Sequence, residues 1–199
     1  MARKKYTKRS RPDHYSQKAK AERFPARSVY KLEEIQKKFN IIKKGDTIID
    51  LGCAPGSWLL FAVRLAGPAG HVTGIDIKPV SEQIPANATV LTADIFGMDA
   101  GELPENVNVI ISDMAPDTTG NKFTDAARSF NLAVQALEIC HKRLKPGGHF
   151  VCKVFQGEDF KNFTDMVKES FAQCKIFKPE TCRKDSRETY VIGLSKKET

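Results

Sequence analysis

Long apolar runs are missing from this 199-residue chain: no uncharged stretch reaches the roughly 18 residues that a membrane span needs. The first twenty residues are basic but carry no apolar core of the signal-peptide kind, so the expected location is cytoplasmic. Paired cysteines are missing too. Cys53, Cys140, Cys152, Cys174 and Cys182 are odd in number and form no CxxC spacing, which argues against a disulfide framework and a zinc knuckle and leaves reduced thiols. His14, His71, His141 and His149 never recur as HxxxH or stand beside a plausible carboxylate ligand, so no metal is implied.

What the chain does have is enough apolar material for a core, with 41% hydrophobic and 28% charged residues, and a length suited to one domain with short appendages. Its charge is unevenly spread. Lys and Arg number 32 against 24 Asp and Glu, a net of +8, and residues 1–27 alone hold ten basic and two acidic residues. The remaining 172 residues are neutral. A basic arm over 1–27, flexible in expectation, ahead of a neutral body over 28–199 suits a polyanion binder, because each phosphate contact releases condensed counterions.

Along the body, Val29, Leu32, Ile35 and Phe39 recur at helical spacing behind Ser28 as a candidate cap, with the helix ending before Gly45. Short apolar strands are expected at Thr47–Leu51, Val72–Asp76, Thr89–Asp94, Val107–Asp113 and Phe150–Phe155, with two more near Lys175–Phe177 and Thr189–Leu194. Helices are expected from the glycine turn to about Ala66, over Phe123–Leu144 and over Phe160–Phe171. Strands alternating with helices indicate an α/β fold with a mostly parallel sheet covered on both faces.

Ligands of such sheets bind beyond the carboxyl ends of the strands, and there Asp50, Asp76, Asp94 and Asp113 follow one another. One such Asp is an ordinary turn former; four together call for another reason. The turn Gly52-Cys53-Ala54-Pro55-Gly56 lets a ligand approach bare backbone but lacks the GxGxxG of dinucleotide sites. Asp76, 20 residues beyond Gly56, is placed to accept hydrogen bonds from both hydroxyls of a ribose. A pyrophosphate would be repelled by these carboxylates, whereas the positive sulfur of S-adenosylmethionine would be welcomed.

Lys153 interrupts the apolar run His149–Phe155. A buried ammonium persists only beside carboxylates, or with a lowered pKa that makes it a base, unless its stem snorkels to water. Lys31, about 40° from Ile35 around its helix, could join it. Glu188, just before the last strand, reads by itself as an ordinary turn carboxylate.

Together, SVYKLEEI with Lys31, the IDLGCAPGSW turn, SDMAP with Asp113, CKVFQG with Lys153 and SRETY with Glu188 resemble the FtsJ-like family of RNA 2'-O-methyltransferases. The likeness runs from about Arg27 to the end, in the family's order. Its nearest point is with bacterial members that methylate a uridine ribose of large-subunit (23S) ribosomal RNA. The resemblance implies a Rossmann-like, seven-stranded class I methyltransferase sheet and a catalytic tetrad falling on Lys31, Asp113, Lys153 and Glu188. It also implies S-adenosyl-L-methionine contacts at Gly56, Trp58, Asp76, Asp94 and Asp113. A monomer acting on ribosomal RNA is expected, within the large ribosomal subunit or on naked RNA. Two departures from the family pattern stand out: Ser57, where a second glycine is common, and Asp117-Thr118-Thr119, where Asn and Ser are frequent.

Other readings fit less well. A base N-methyltransferase would carry Asn/Asp-Pro-Pro-aromatic where this chain has Ser112-Asp113-Met114-Ala115-Pro116, and a cytosine C5 enzyme needs a Pro-Cys nucleophile that is absent. An NAD-dependent oxidoreductase lacks its glycine spacing here. Transfer RNA would offer the same hydroxyl, and a non-catalytic RNA-binding module would share the charge alone.

Overall fold

Apolar runs too short for a stable helix become the inner strands of one sheet, and the longer periodic stretches between them cover its two faces. A computed structural model describes residues 14–183 and 185–198. In chain order the elements are α1 (His14–Ala21), α2 (Val29–Phe39), β1 (Thr47–Leu51), α3 (Ser57–Ala66), β2 (His71–Asp76), β3 (Ala88–Thr92), a 3₁₀ turn (Ala100–Glu102), β4 (Val107–Ser112), α4 (Lys122–Arg143), β5 (Leu144–Phe155), α5 (Phe160–Ser170), β6 (Phe171–Phe177) and β7 (Glu188–Lys196).

The seven strands lie in the order β3-β2-β1-β4-β5-β7-β6. All neighbours pair in parallel except β7, which runs antiparallel to both β5 and β6. The fold is therefore the expected mostly parallel, Rossmann-like class I methyltransferase sheet. Alternation along each strand sorts the core into two layers. Leu51, Ile110, Phe150 and Val191 pack on one face with Leu137 and Cys140 of α4 and Phe163 of α5. Ile48, Val109, Val151 and Ile192 pack on the other with Leu32 and Ile35 of α2 and Leu59 and Ala62 of α3. The order reverses between β1 and β4, which opens a crevice at the carboxyl ends of those strands.

Three local features differ from the sequence reading. Residues 14–27, assigned from the sequence to the arm, carry α1 and pack through Ala19 and Phe24 against Val29 and Tyr30. Lys18 lies over the Tyr30 ring at 4.3 Å, so cationic side chains here are held by aromatic faces as well as by water. The rest of the arm, residues 1–13, lies outside the described residues. Second, Ser28 gives α2 no side-chain cap: its own backbone is already helical, and Val29 and Tyr30 donate instead to the carbonyls of Ala26 and Arg27. Third, β5 begins at Leu144 and β6 at Phe171, earlier than expected, so that Pro146-Gly147-Gly148 lies within β5; α2 ends at Phe39, before Gly45 as expected, where Asn40 takes the left-handed conformation at φ 50° and the Gln36 amide bonds both backbone groups of Ile42. Among the described residues no helix is long and apolar enough to cross a membrane.

Candidate active site

A cleft of about 570 Å³ occupies the crevice, lined by Gly52 after β1, Asp76 closing β2, Asp94 beyond β3 and Asp113 after β4. Glycine is required at its base. Gly52 has φ +79°, and a Cβ there would stand 2.5 Å from Met114 Cγ. Asp76 takes the Ala54 N–H on Oδ2 at 2.9 Å and the Lys78 N–H on Oδ1 at 2.8 Å, which fixes its carboxylate while each oxygen keeps a further lone pair for a ligand hydroxyl. Asp94 is held in the same manner by the Phe96 N–H at 3.0 Å. Ile77 and Phe96, both more than half exposed, supply apolar surface to the cleft. Lys78 and Arg128 also line it, Arg128 donating to the Asp117 carbonyl.

Beside the cleft, two lysines and two acids converge from four different elements. In the register of β4, β5 and β7, Ser112 stands opposite Cys152, and Lys153 opposite Tyr190. Asp113, Lys153 and Tyr190 therefore meet at one edge of the sheet. Lys153 Nζ lies 3.1 Å from Asp113 Oδ1 and also donates to the Asp113 carbonyl. The Tyr190 hydroxyl donates to the same Asp113 Oδ1 at 2.6 Å. Because β7 is antiparallel, its first residue lies at the end of β5, with Glu188 opposite Phe155. Lys31, in the first turn of α2, donates to Glu188 Oε2 at 2.8 Å. The four side chains are between 7% and 15% exposed, so their attractions are weakly screened.

Several anchors hold α2 in this position. Arg27 donates to the Thr181 carbonyl, and Glu34 accepts from the N–H groups of Glu180 at 2.7 Å and Thr181 at 3.0 Å. The Trp58 indole donates to the Ser28 carbonyl at 2.9 Å and stacks on Tyr190 with centroids 5.7 Å apart.

Burial alone would push the Asp113 carboxyl up, but the ammonium groups of Lys153 and Lys31, with the Tyr190 hydroxyl, hold it below the usual carboxylate range. Burial opposes the charge on Lys31, and Asp113 and Glu188 outweigh it, so its pKa is raised. Burial and then the Glu188 carboxylate push the Cys182 thiol up to about 12. Asp50 is the opposite case: it is 0% exposed, and among the described residues neither carboxylate oxygen has a hydrogen-bond partner. Burial first, then the charges of Asp113 and Asp76, push its carboxyl well above the usual range.

The structure thus brings Lys31, Asp113, Lys153 and Glu188 into two ion pairs and sets Asp76, Asp94 and Asp113 around the cleft. It does not put Gly56 and Trp58 in the cleft lining. Gly56, at φ +114°, opens α3, and Trp58 is buried beneath Tyr190. Tyr190 is a partner of Asp113 that the sequence reading missed, although two-residue spacing puts it on the same strand face as Glu188. The departure at Ser57 has a structural use: its hydroxyl accepts from Ala26 N at 2.8 Å and donates to Ala26 O at 3.1 Å, tying the lead into α2 to α3. At the other departure, Thr119 donates through both its N–H and its hydroxyl to Asp125 Oδ1, each at 2.8 Å, which staples the loop after β4 to α4.

The family model described as FtsJ-like methyltransferase matches residues 24–196. A ribosomal RNA large subunit methyltransferase E of Desulfosudis oleivorans is 62% identical over 194 residues, covering 96% of this chain and 94% of its own length. The protein of the same name from Desulforapulum autotrophicum is 56% identical over 188 residues, covering 93% of each. A Plasmodium falciparum crystal structure, described as that of a ribosomal RNA methyltransferase, superposes with a TM-score of 0.78 at 25% identity, over 88% of this chain and 100% of that one. Aeropyrum pernix fibrillarin, crystallised with natively bound S-adenosyl-L-methionine, is alike in fold, with a TM-score of 0.59 at 17% identity over 77% of this chain and 68% of its own.

Proposed function

The chain belongs to the FtsJ-like methyltransferase family, and from that premise we propose that it transfers a methyl group from S-adenosyl-L-methionine to the 2'-hydroxyl of a uridine in large-subunit (23S) ribosomal RNA. The observation that carries this reading is the meeting of Lys31, Asp113, Lys153 and Glu188 at the rim of a carboxylate-lined cleft. The enzyme works as a monomer in the cytoplasm, on RNA within the large ribosomal subunit. The similarity of the curated relatives, by name and over nearly their whole length, supports that substrate.

The donor set of the cleft fits the cofactor. Asp76 and Asp94 suit the hydroxyls and amino group of an adenosine, and the cluster of carboxylates suits a positive sulfur. Gly56 and Trp58 open α3, whose N-terminal N–H groups and dipole suit a carboxylate. When bound, S-adenosylmethionine supplies an electrophilic methyl group on a sulfonium centre.

The residues of this chain hold the acceptor and manage its proton. Lys153 spends two of its three N–H donors on Asp113, which leaves the third for a 2'-oxygen. This supports an orienting role for Lys153, the alternative to a free-amine base. Lys31 offsets the negative charge that develops on that oxygen, Glu188 accepts the hydrogen bond of the hydroxyl, and the hydroxyl proton passes to solvent water as the oxygen takes the methyl group. Tyr190 and Trp58 keep Asp113 from swinging away.

The direct test is mass-spectrometric mapping of ribose methylation in total RNA from cells with and without the gene. One 2'-O-methyl uridine should vanish from 23S rRNA in its absence. Loss from transfer RNA instead, or no loss anywhere, overturns the proposed substrate.

A further inference from the structure

The described residues expose four large apolar side chains, Ile77, Phe96, Phe123 and Ile176. Two of them, Ile77 and Phe96, line the cofactor cleft. Phe123 is the most exposed at 74% and lines a second open cavity of about 620 Å³. A folded chain gains nothing by leaving such a side chain in water, so the cavity calls for an occupant.

Its walls specify the chemistry. Phe123, Phe130, Phe155 and Phe160 contribute four aromatic rings, two from α4, one from the end of β5 and one from the start of α5. The helical part is set by spacing: Phe123 and Phe130 are seven residues apart, about 20° apart around the helix, and so share one face of α4. Asn121 fixes where that helix begins by accepting from the N–H groups of Phe123 and Thr124. Arg187 forms the remaining wall, its guanidinium donating to the Lys122 carbonyl at 2.8 Å and to the Gln156 carbonyl, so its charge is held in place by both sides of the cavity. The exposed carboxylates of Glu158 and Asp159 also border the cavity.

The cavity adjoins the active site. Phe155 stands opposite Glu188 in the β5–β7 pair, and Arg187 is the residue before Glu188. An RNA strand whose 2'-hydroxyl reaches Glu188 therefore brings its neighbouring nucleotide to this opening. We propose that the cavity takes an unpaired base of the RNA next to the methylated ribose, stacked on Phe123, with the adjoining phosphate on Arg187. Aromatic faces hold a base of any sequence, and Glu158 accepts from a base N–H while repelling a phosphate that would enter in its place. The cavity thereby selects single-stranded RNA at the active site, since a paired base cannot leave its stack to fill it. This rests on the ribose-methyltransfer reading given above.

The test uses the full chain and large ribosomal subunits purified from cells that lack the gene and were fed 4-thiouridine. Phe123→Ala and Phe123→Leu should each raise KM for subunits roughly tenfold, the loss of one stacked base. Phe123→Trp should keep the wild-type KM, and the cofactor Kd should not change in any of the three. Ile176→Ala, an exposed apolar truncation on the far edge strand, controls for loss of apolar surface as such. Photocrosslinks from 4-thiouridine should fall on the peptides that carry Phe123 and Phe160. An unchanged KM in Phe123→Ala, or crosslinks confined to other peptides, as expected if a protein partner fills the cavity, overturns the pocket while leaving the enzyme's activity standing. Absence of methyl transfer by the wild type overturns the functional reading and the pocket with it.

Discussion

The two halves of the sheet carry their acids in different ways. On the side of β3, β2 and β1, Asp76 and Asp94 are held by backbone N–H groups, and Asp50 has no hydrogen-bond partner among the described residues. On the side of β5 and β7, each acid is matched to a lysine: Asp113 to Lys153 and Glu188 to Lys31. A carboxylate oriented by backbone keeps its charge and spare lone pairs for a ligand, whereas one matched to an amine forms a neutral pair whose geometry is the product. The first half is built to bind and the second to position, and Asp113, at the seam between β4 and β5, serves both.

That division can be broken by substitution, and the largest effect should come from the positioning side. Lys153→Ala should lower methyl transfer by about 10³-fold or more while leaving cofactor affinity nearly intact. Incorporation of tritiated methyl into RNA, set beside calorimetric binding of S-adenosylmethionine, reads both quantities. Equal losses in the two would show that the halves are not separable.

On the binding side, Asp76→Ala should weaken cofactor binding roughly 10- to 100-fold, the loss of one or two charged hydrogen bonds. Transfer at saturating cofactor should recover most of the wild-type rate. A variant that binds the cofactor normally yet turns over slowly would reverse the assignment of Asp76.

The smallest effect concerns stability. Asp50 has a folded-state pKa well above its ordinary value of 3.8, so its contribution is fully present below that value and is lost as pH rises toward the folded one. In urea unfolding from pH 4.5 to 8, Asp50→Asn should remove a downward slope of at most about 1.4 kcal/mol per pH unit. Parallel stability curves for the two proteins would mean that Asp50 ionises freely in the fold.

Much of the binding half is legible in the sequence because its features are local. A strand ends, a turn follows, and the residues that line the cleft stand within a few positions of the strand end, as Gly52 and Ala54 do after β1 and Asp76 at the end of β2. The positioning half depends on long-range pairing. Lys31 and Glu188 are 157 positions apart, and no periodicity in either segment announces the other. Only the motif strings of the family link them. Tyr190 was overlooked because a tyrosine in a strand is ordinary until its register against Lys153 is known. The helix α1 was hidden by its own composition, since HYSQKAKA carries few apolar residues and is held by Tyr30 and Phe24 from outside its span. Ser28 misled because side-chain capping is a preference, and neighbouring carbonyls met the same need.

The position of β7 bears on the moment at which the protein becomes functional during translation. It follows β6 in the chain but lies between β5 and β6 in space, so the sheet waits for it to be threaded into a gap. A nascent polypeptide can assemble the β1–β4 crevice well before the ribosome has polymerised residue 188. It acquires the carboxylate of Glu188 and the phenol of Tyr190 only when that strand is inserted, and until then it holds a donor pocket with half of its reaction centre.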